Sequence, residues 1–182
     1  RLFLSDETIA QFRTAPQAAA PEPVPKGLAA AFAASIVYED AHLMVLNKPA
    51  GMTAHASNFL PDTPTVAGAL AWQRGADFIF HVVNRLDKGT TGLMVVAKHP
   101  HAQEVLKGQL HTPAFRRVYL AVCDGGPQPP SGVVDAPLGP REGSLVEQMV
   151  RPDGKPARTG YRLVQTHGDF SLLHLVLDTG RT

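Results

Sequence analysis

Asp87 stands between two cations, Arg85 and Lys88, in the stretch Asn84-Arg85-Leu86-Asp87-Lys88-Gly89-Thr90-Thr91-Gly92. An apolar run, Leu93–Ala97, follows at once. A charged loop set against an apolar strand is a place where a scaffold can hold a reactive group rigidly. By itself the residue reads as a turn former, its carboxylate bonded to neighbouring backbone. Two further segments carry polar groups that can do chemistry. In Phe115-Arg116-Arg117-Val118-Tyr119-Leu120 the alternation puts Arg117 and Tyr119 on one strand face. Asp178-Thr179-Gly180-Arg181-Thr182 follows another apolar run and offers Arg181. Taken singly, these are a solvent-facing strand and a surface turn.

The elements that must position these groups are legible in outline. Thr14 to Gly27 reads TAPQAAAPEPVPKG, a Pro/Ala-rich linker, so residues 1–35 are expected to be an N-terminal extension and 36–182 the folded domain. Leu43–Leu46 predicts a strand that ends in the turn Asn47-Lys48-Pro49-Ala50-Gly51. Thr63-Pro64 predicts an N-cap and first helical residue, with Val66, Ala69 and Leu70 at helical spacing up to about Arg74. Leu93–Ala97, apolar throughout, predicts a central strand buried on both faces. A second helix is expected after Pro100, burying Ala102, Val105, Leu106 and Leu110, with Gly108 as a weak point. Arg116–Val122 and Ser171–Leu177 predict strands, and Gly125–Arg158 predicts loop with short strands. The order suggests an α+β domain on a mixed or antiparallel central sheet with flanking helices.

Composition excludes several classes. The 182 residues suffice for one domain with a real core. No apolar run reaches the length of a membrane-spanning helix, and the first residues turn polar too soon for a signal peptide. Cys123 is the only cysteine, which rules out an internal disulfide or a cysteine zinc site and suits a reducing cytoplasm. The formal charge is +1, with a mild basic excess after residue 40. That bias is compatible with RNA but does not by itself argue for it. His55, His81, His99, His101 and His111 show no metal-ligand pairing, and no phosphate-loop motif follows Gly125-Gly126.

Taken together, the segments resemble the RluA-type family of pseudouridine synthases. The family signature, His- or Asn-Arg-Leu-Asp before a Thr-Ser/Thr-Gly and an apolar strand, stands here as NRLDKGTTGLMVVAK, Asn84 to Lys98. The upstream Asn-Lys-Pro-Ala-Gly and His stand in YEDAHLMVLNKPAGMTAH, Tyr38 to His55. A basic residue two before a Tyr is matched by Arg117 and Tyr119, and Thr-Gly-Arg-Thr by Thr179 to Thr182. The order and rough spacing of all four agree from about Ile36 onward. The resemblance implies the pseudouridine synthase fold, with a catalytic cleft. The family motif continues past Thr-Gly-Arg-Thr into a further strand, so a C-terminal part of the domain is expected to be missing. The S4-type RNA-binding module that precedes many relatives is not expected in residues 1–35.

Pseudouridine formation breaks the bond from ribose C1′ to uracil N1, turns the base, and joins C1′ to C5. It calls for neither cofactor nor metal. The resemblance assigns Asp87 to the ribosyl carbon, as stabiliser, nucleophile or base. It assigns Arg181 to keeping that carboxylate ionised, and Tyr119 to the uracil. Arg85 would fill the space of the extruded base, while Lys48, Arg116 and Arg117 would contact the RNA backbone. The partner is RNA, ribosomal or transfer, with no obligatory protein partner. The alternative on the same fold is a catalytically inactive RNA-binding protein or RNA chaperone. A third reading, an aspartyl-phosphate enzyme, rests on an echo in Asp87-Lys88-Gly89-Thr90-Thr91, but the Gly and Thr are transposed and no Mg²⁺ motif follows.

Overall fold

A computed structural model describes residues 32, 35–56, 63–75, 77–110, 112–143 and 147–179. The chain forms two compact units that meet in sequence at Lys107/Gly108. The expected linker, residues 14–27, lies outside the described residues.

The first unit holds β1 (Ile36–Glu39), β2 (Leu43–Lys48), α1 (Val66–Arg74), β3 (His81–Val82), β4 (Gly92–Ala97) and most of α2 (Pro100–Gln109). Its strands form an antiparallel sheet in the order β1-β2-β4-β3. Met44 and Leu46 of β2 pair with Val96 and Met94 of β4 on one face, and all four are fully buried. Val66, Ala69 and Leu70 of α1 join that core, with Phe32, Met52 and Ala54. Each Val, Leu, Met or Phe among them contributes about 1.5–3 kcal/mol when fully buried.

Three expectations need correction here. Leu93 is 63% exposed, so β4 is buried on one face only; its apolar run reflects β-propensity as well as burial. The N-cap of α1 is Thr65, not Thr63: its Oγ1 accepts the Gly68 N–H at 2.9 Å, so Pro64 precedes the cap. In α2 the expected apolar stripe is buried only at Ala102, and Val105 is 47% exposed. That helix is closed instead by His99, whose Nδ1 accepts the Ala102 N–H at 3.2 Å. The imidazole proton must then sit on Nε2, which donates to His42 Nδ1 at 2.9 Å.

The second unit is built on β5 (Arg117–Asp124), β6 (Ser131–Asp135), β9 (Arg158–His167) and β10 (Phe170–Leu177), with a small ribbon of β7 (Leu138–Pro140) and β8 (Gln148–Val150). The order is β5-β10-β9-β6, again antiparallel. β5 and β10 pair without a break from Arg117↔Leu177 to Asp124↔Phe170. All four predicted strand runs are strands, but they are shared between two sheets rather than gathered in one. The fold is α+β, and every strand pair in both sheets is antiparallel.

Candidate active site

Asp87 lies, as expected, in the loop that enters β4, and it is exposed. The sequence around it fixes that loop at several points. Val83 donates its N–H to Val95 O at 3.0 Å, continuing the β3–β4 ladder by one bond. The Asn84 side chain then replaces backbone: its Oδ1 accepts the Val95 N–H at 2.7 Å. The chain is thereby free to leave the sheet while the strand keeps its bond. Leu86 is buried and pins the loop from inside, so its neighbours Arg85 and Asp87 face solvent. The Thr90 N–H donates to Asp87 O at 3.1 Å and closes a turn.

A second segment braces the first. Lys48 ends β2, and the turn after it reaches the Asp87 loop, where the Gly51 N–H donates to Lys88 O at 2.8 Å. Gly51 has φ +87°, a conformation other residues adopt at a cost. Lys88 Nζ in turn donates to Thr63 Oγ1 at 3.2 Å, just before α1. Lys48 itself is fully buried, and its ammonium donates to Pro49 O at 2.9 Å and Met52 O at 2.8 Å. The expectation that it contacts the RNA backbone is therefore corrected: the ammonium is enclosed in the core and engaged by two backbone carbonyls. Burial pushes its pKa down, and the Asp87 charge partly opposes that. A buried cation thus lies within electrostatic reach of the carboxylate, a role that a surface reading of lysine misses.

His55 closes the upstream motif. Its ring stands edge-on to Phe80, centroids 4.8 Å apart. Desolvation, with the Arg85 charge adding to it, pushes its pKa down. Both causes favour the neutral imidazole, the form that can donate and accept hydrogen bonds.

Arg116, Arg117 and Tyr119 belong to the second unit. Arg116 is exposed; Arg117 and Tyr119 are half-buried on the same face of β5. Arg117 Nη2 donates to Asp178 O at 3.1 Å. Arg181 lies outside the described residues. Among the described residues no cluster of three or more His, Cys, Asp or Glu side chains is placed to hold a metal ion.

The family model for RNA pseudouridylate synthase matches residues 42–182. This chain belongs to that family. An uncharacterized RNA pseudouridine synthase of Chloroflexus aurantiacus is 41% identical over 140 residues, covering 75% of this chain and 44% of the relative. Ribosomal large subunit pseudouridine synthase D of Nitrosomonas europaea is 40% identical over 153 residues, covering 81% and 43%. The chain thus spans less than half the length of either relative. Among solved structures, human RNA Pseudouridylate Synthase Domain Containing 4 superposes with a TM-score of 0.65 at 26% identity, covering 85% of this chain and 63% of that one. No helix among the described residues is long and apolar enough to cross a membrane.

Proposed function

We propose that this protein isomerises uridine to pseudouridine within RNA, with Asp87 as the carboxylate that acts at the ribosyl carbon. The observation that carries this reading is the placement of Asp87: exposed at the tip of a loop that Asn84, Leu86 and Gly51 hold from three sides. Turn formation alone does not need such bracing. The C1′–N1 bond breaks, C1′ joins C5, the C5 proton leaves and N1 ends protonated, so no atoms are gained. The cation-like C1′ is what an ionised carboxylate stabilises or captures. Tyr119 would act on the uracil, and Arg181 would keep the carboxylate ionised. Arg85 would replace the extruded base, and Arg116 would hold phosphate. Residues 36–182 would form one catalytic domain. The name shared by the Nitrosomonas europaea relative favours ribosomal RNA as the substrate class.

The test is pseudouridine formation on ribosomal RNA, read by mass spectrometry, with wild type and Asp87→Asn. The variant should fall below about a tenth of the wild-type rate, a loss of more than about 1.4 kcal/mol of transition-state stabilisation. RNA affinity should stay within a few-fold. Turnover above that level in Asp87→Asn removes Asp87 from the chemistry. RNA binding with no isomerisation by wild type would favour the non-catalytic alternative.

A further inference from the structure

The second unit carries a pocket of about 390 Å³ at the start of β5 and the end of β10. Leu110, Pro113 and Phe115 give it an apolar wall; Arg116, Arg117 and Asp178 give it charge. The wall is preformed. The Thr112 N–H and Oγ1 donate to Gln109 O at 3.0 and 2.9 Å, and the Phe115 N–H donates to Thr112 O at 3.1 Å. The charge is effectively positive. The Asp178 carboxylate is taken by Arg158 Nε at 3.0 Å, so Arg117 reaches only the Asp178 carbonyl. Arg117 Nε is buried with no hydrogen-bond partner. Such a donor calls for an incoming acceptor.

A flat apolar wall beside two guanidiniums, one with an idle donor, suits a ligand that is planar on one side and anionic on the other. A nucleotide has that build: bases stack on aromatic rings, and guanidinium pairs with phosphate. Arg117 lies two residues from Tyr119 on one strand face, about 7 Å away along the strand. That step is within the reach of one extended nucleotide. We propose that this pocket seats the RNA nucleotide adjacent to the uridine held at Tyr119, with its base against Phe115 and its phosphate on Arg116 and Arg117. The inference rests on the RNA-modifying role proposed above.

The test uses the 182-residue chain and three probes: uridine 5′-monophosphate, the dinucleotide uridylyl-uridine, and inorganic phosphate. Binding is read by NMR at the Arg117 Nε–H and the Phe115 ring. The monophosphate should move both signals and bind about tenfold or more tighter than phosphate. The dinucleotide should bind tighter still, and Tyr119→Ala and Phe115→Leu should each erase that gain. Phe115→Tyr, which keeps the flat ring, should retain it. An Arg117 signal that ignores the monophosphate overturns the pocket, as does an undiminished dinucleotide gain in Phe115→Leu. If Phe115→Leu melts early, the mapped signals and the Tyr variant decide. Failure of the enzymatic role reads differently: nucleotide binding at Phe115 and Arg117 without pseudouridine formation sinks that role and leaves the pocket. Pseudouridine formation with no response at Phe115 sinks the pocket alone.

Discussion

Lys48 shows how a single side chain can be misjudged by type. Lysine is almost never fully buried unless paired, so a lysine in a turn reads as surface. Yet Met44, Leu46 and Lys48 are alternate residues of β2, and the first two are core. The period of the strand put Lys48 on the inner face, and that parity was readable. What the sequence could not supply was the pair of carbonyls, Pro49 O and Met52 O, that make the burial tolerable. Lys48→Met keeps the volume but leaves both acceptors without their donor, a loss of about 1–3 kcal/mol. A depressed lysine pKa means the unfolded chain binds more protons than the native one between the native pKa and 10.5. Native stability therefore gains with rising pH in that window, in wild type and not in Lys48→Met. Denaturant melts at neutral pH and near pH 10.5 check both parts. Parallel pH profiles for the two proteins would show that Lys48 does not titrate as a buried cation.

Among the elements, the junction of β3, the Asp87 loop and β4 sets the geometry of the carboxylate. Strand positions were legible because runs of Val, Leu and Met punctuated by Gly and Pro leave few alternatives. The distribution of those strands between two sheets was not, because pairing depends on contacts far apart in sequence. The role of Asn84 was half legible: the signature allows His or Asn there, and the structure supplies a reason. Oδ1 of Asn and Nδ1 of His can accept from the same place, here the Val95 N–H. Asn84→Ala leaves that half-buried N–H unpaired, at about 1 kcal/mol, and loosens the exit of the loop. We expect turnover to fall about tenfold, as misplaced groups lose rate steeply, while RNA affinity changes little. Asn84→His should restore most of both. Single-turnover rates beside thermal melts test this; a His variant no better than Ala would mean that the hydrogen bond is not what matters.

For the whole molecule, a net charge of +1 leaves little long-range field. On the proposed function, RNA is held by local contacts of two kinds. Arg116 is exposed beside the pocket of the second unit, and Arg85 is exposed next to the Leu86 anchor in the first. Arg116→Ala should weaken binding and lower the slope of log affinity against log salt by roughly 0.7–0.9, the mark of one lost phosphate contact. Arg85→Lys keeps the charge but loses the planar guanidinium. Its salt slope should hold while turnover falls, because the base must leave its stack before chemistry. Salt-dependent binding and single-turnover isomerisation of both variants provide the measurement. Matching losses of affinity and rate in the two would reduce Arg85 to another phosphate contact.

The unbroken β5–β10 ladder makes the chain unevenly tolerant of changes in length. Between these strands, residues 125–169 carry β6 to β9 and their turns, and the turn at Glu142-Gly143 can accept extra residues without touching the ladder. Within Phe170–Leu177 the case is different. Deleting one residue there shifts every later side chain by one position, and each changes sides of the sheet. The chain after Asp178 would then start from the wrong face. Natural variation in length should gather in the excursion and spare β10.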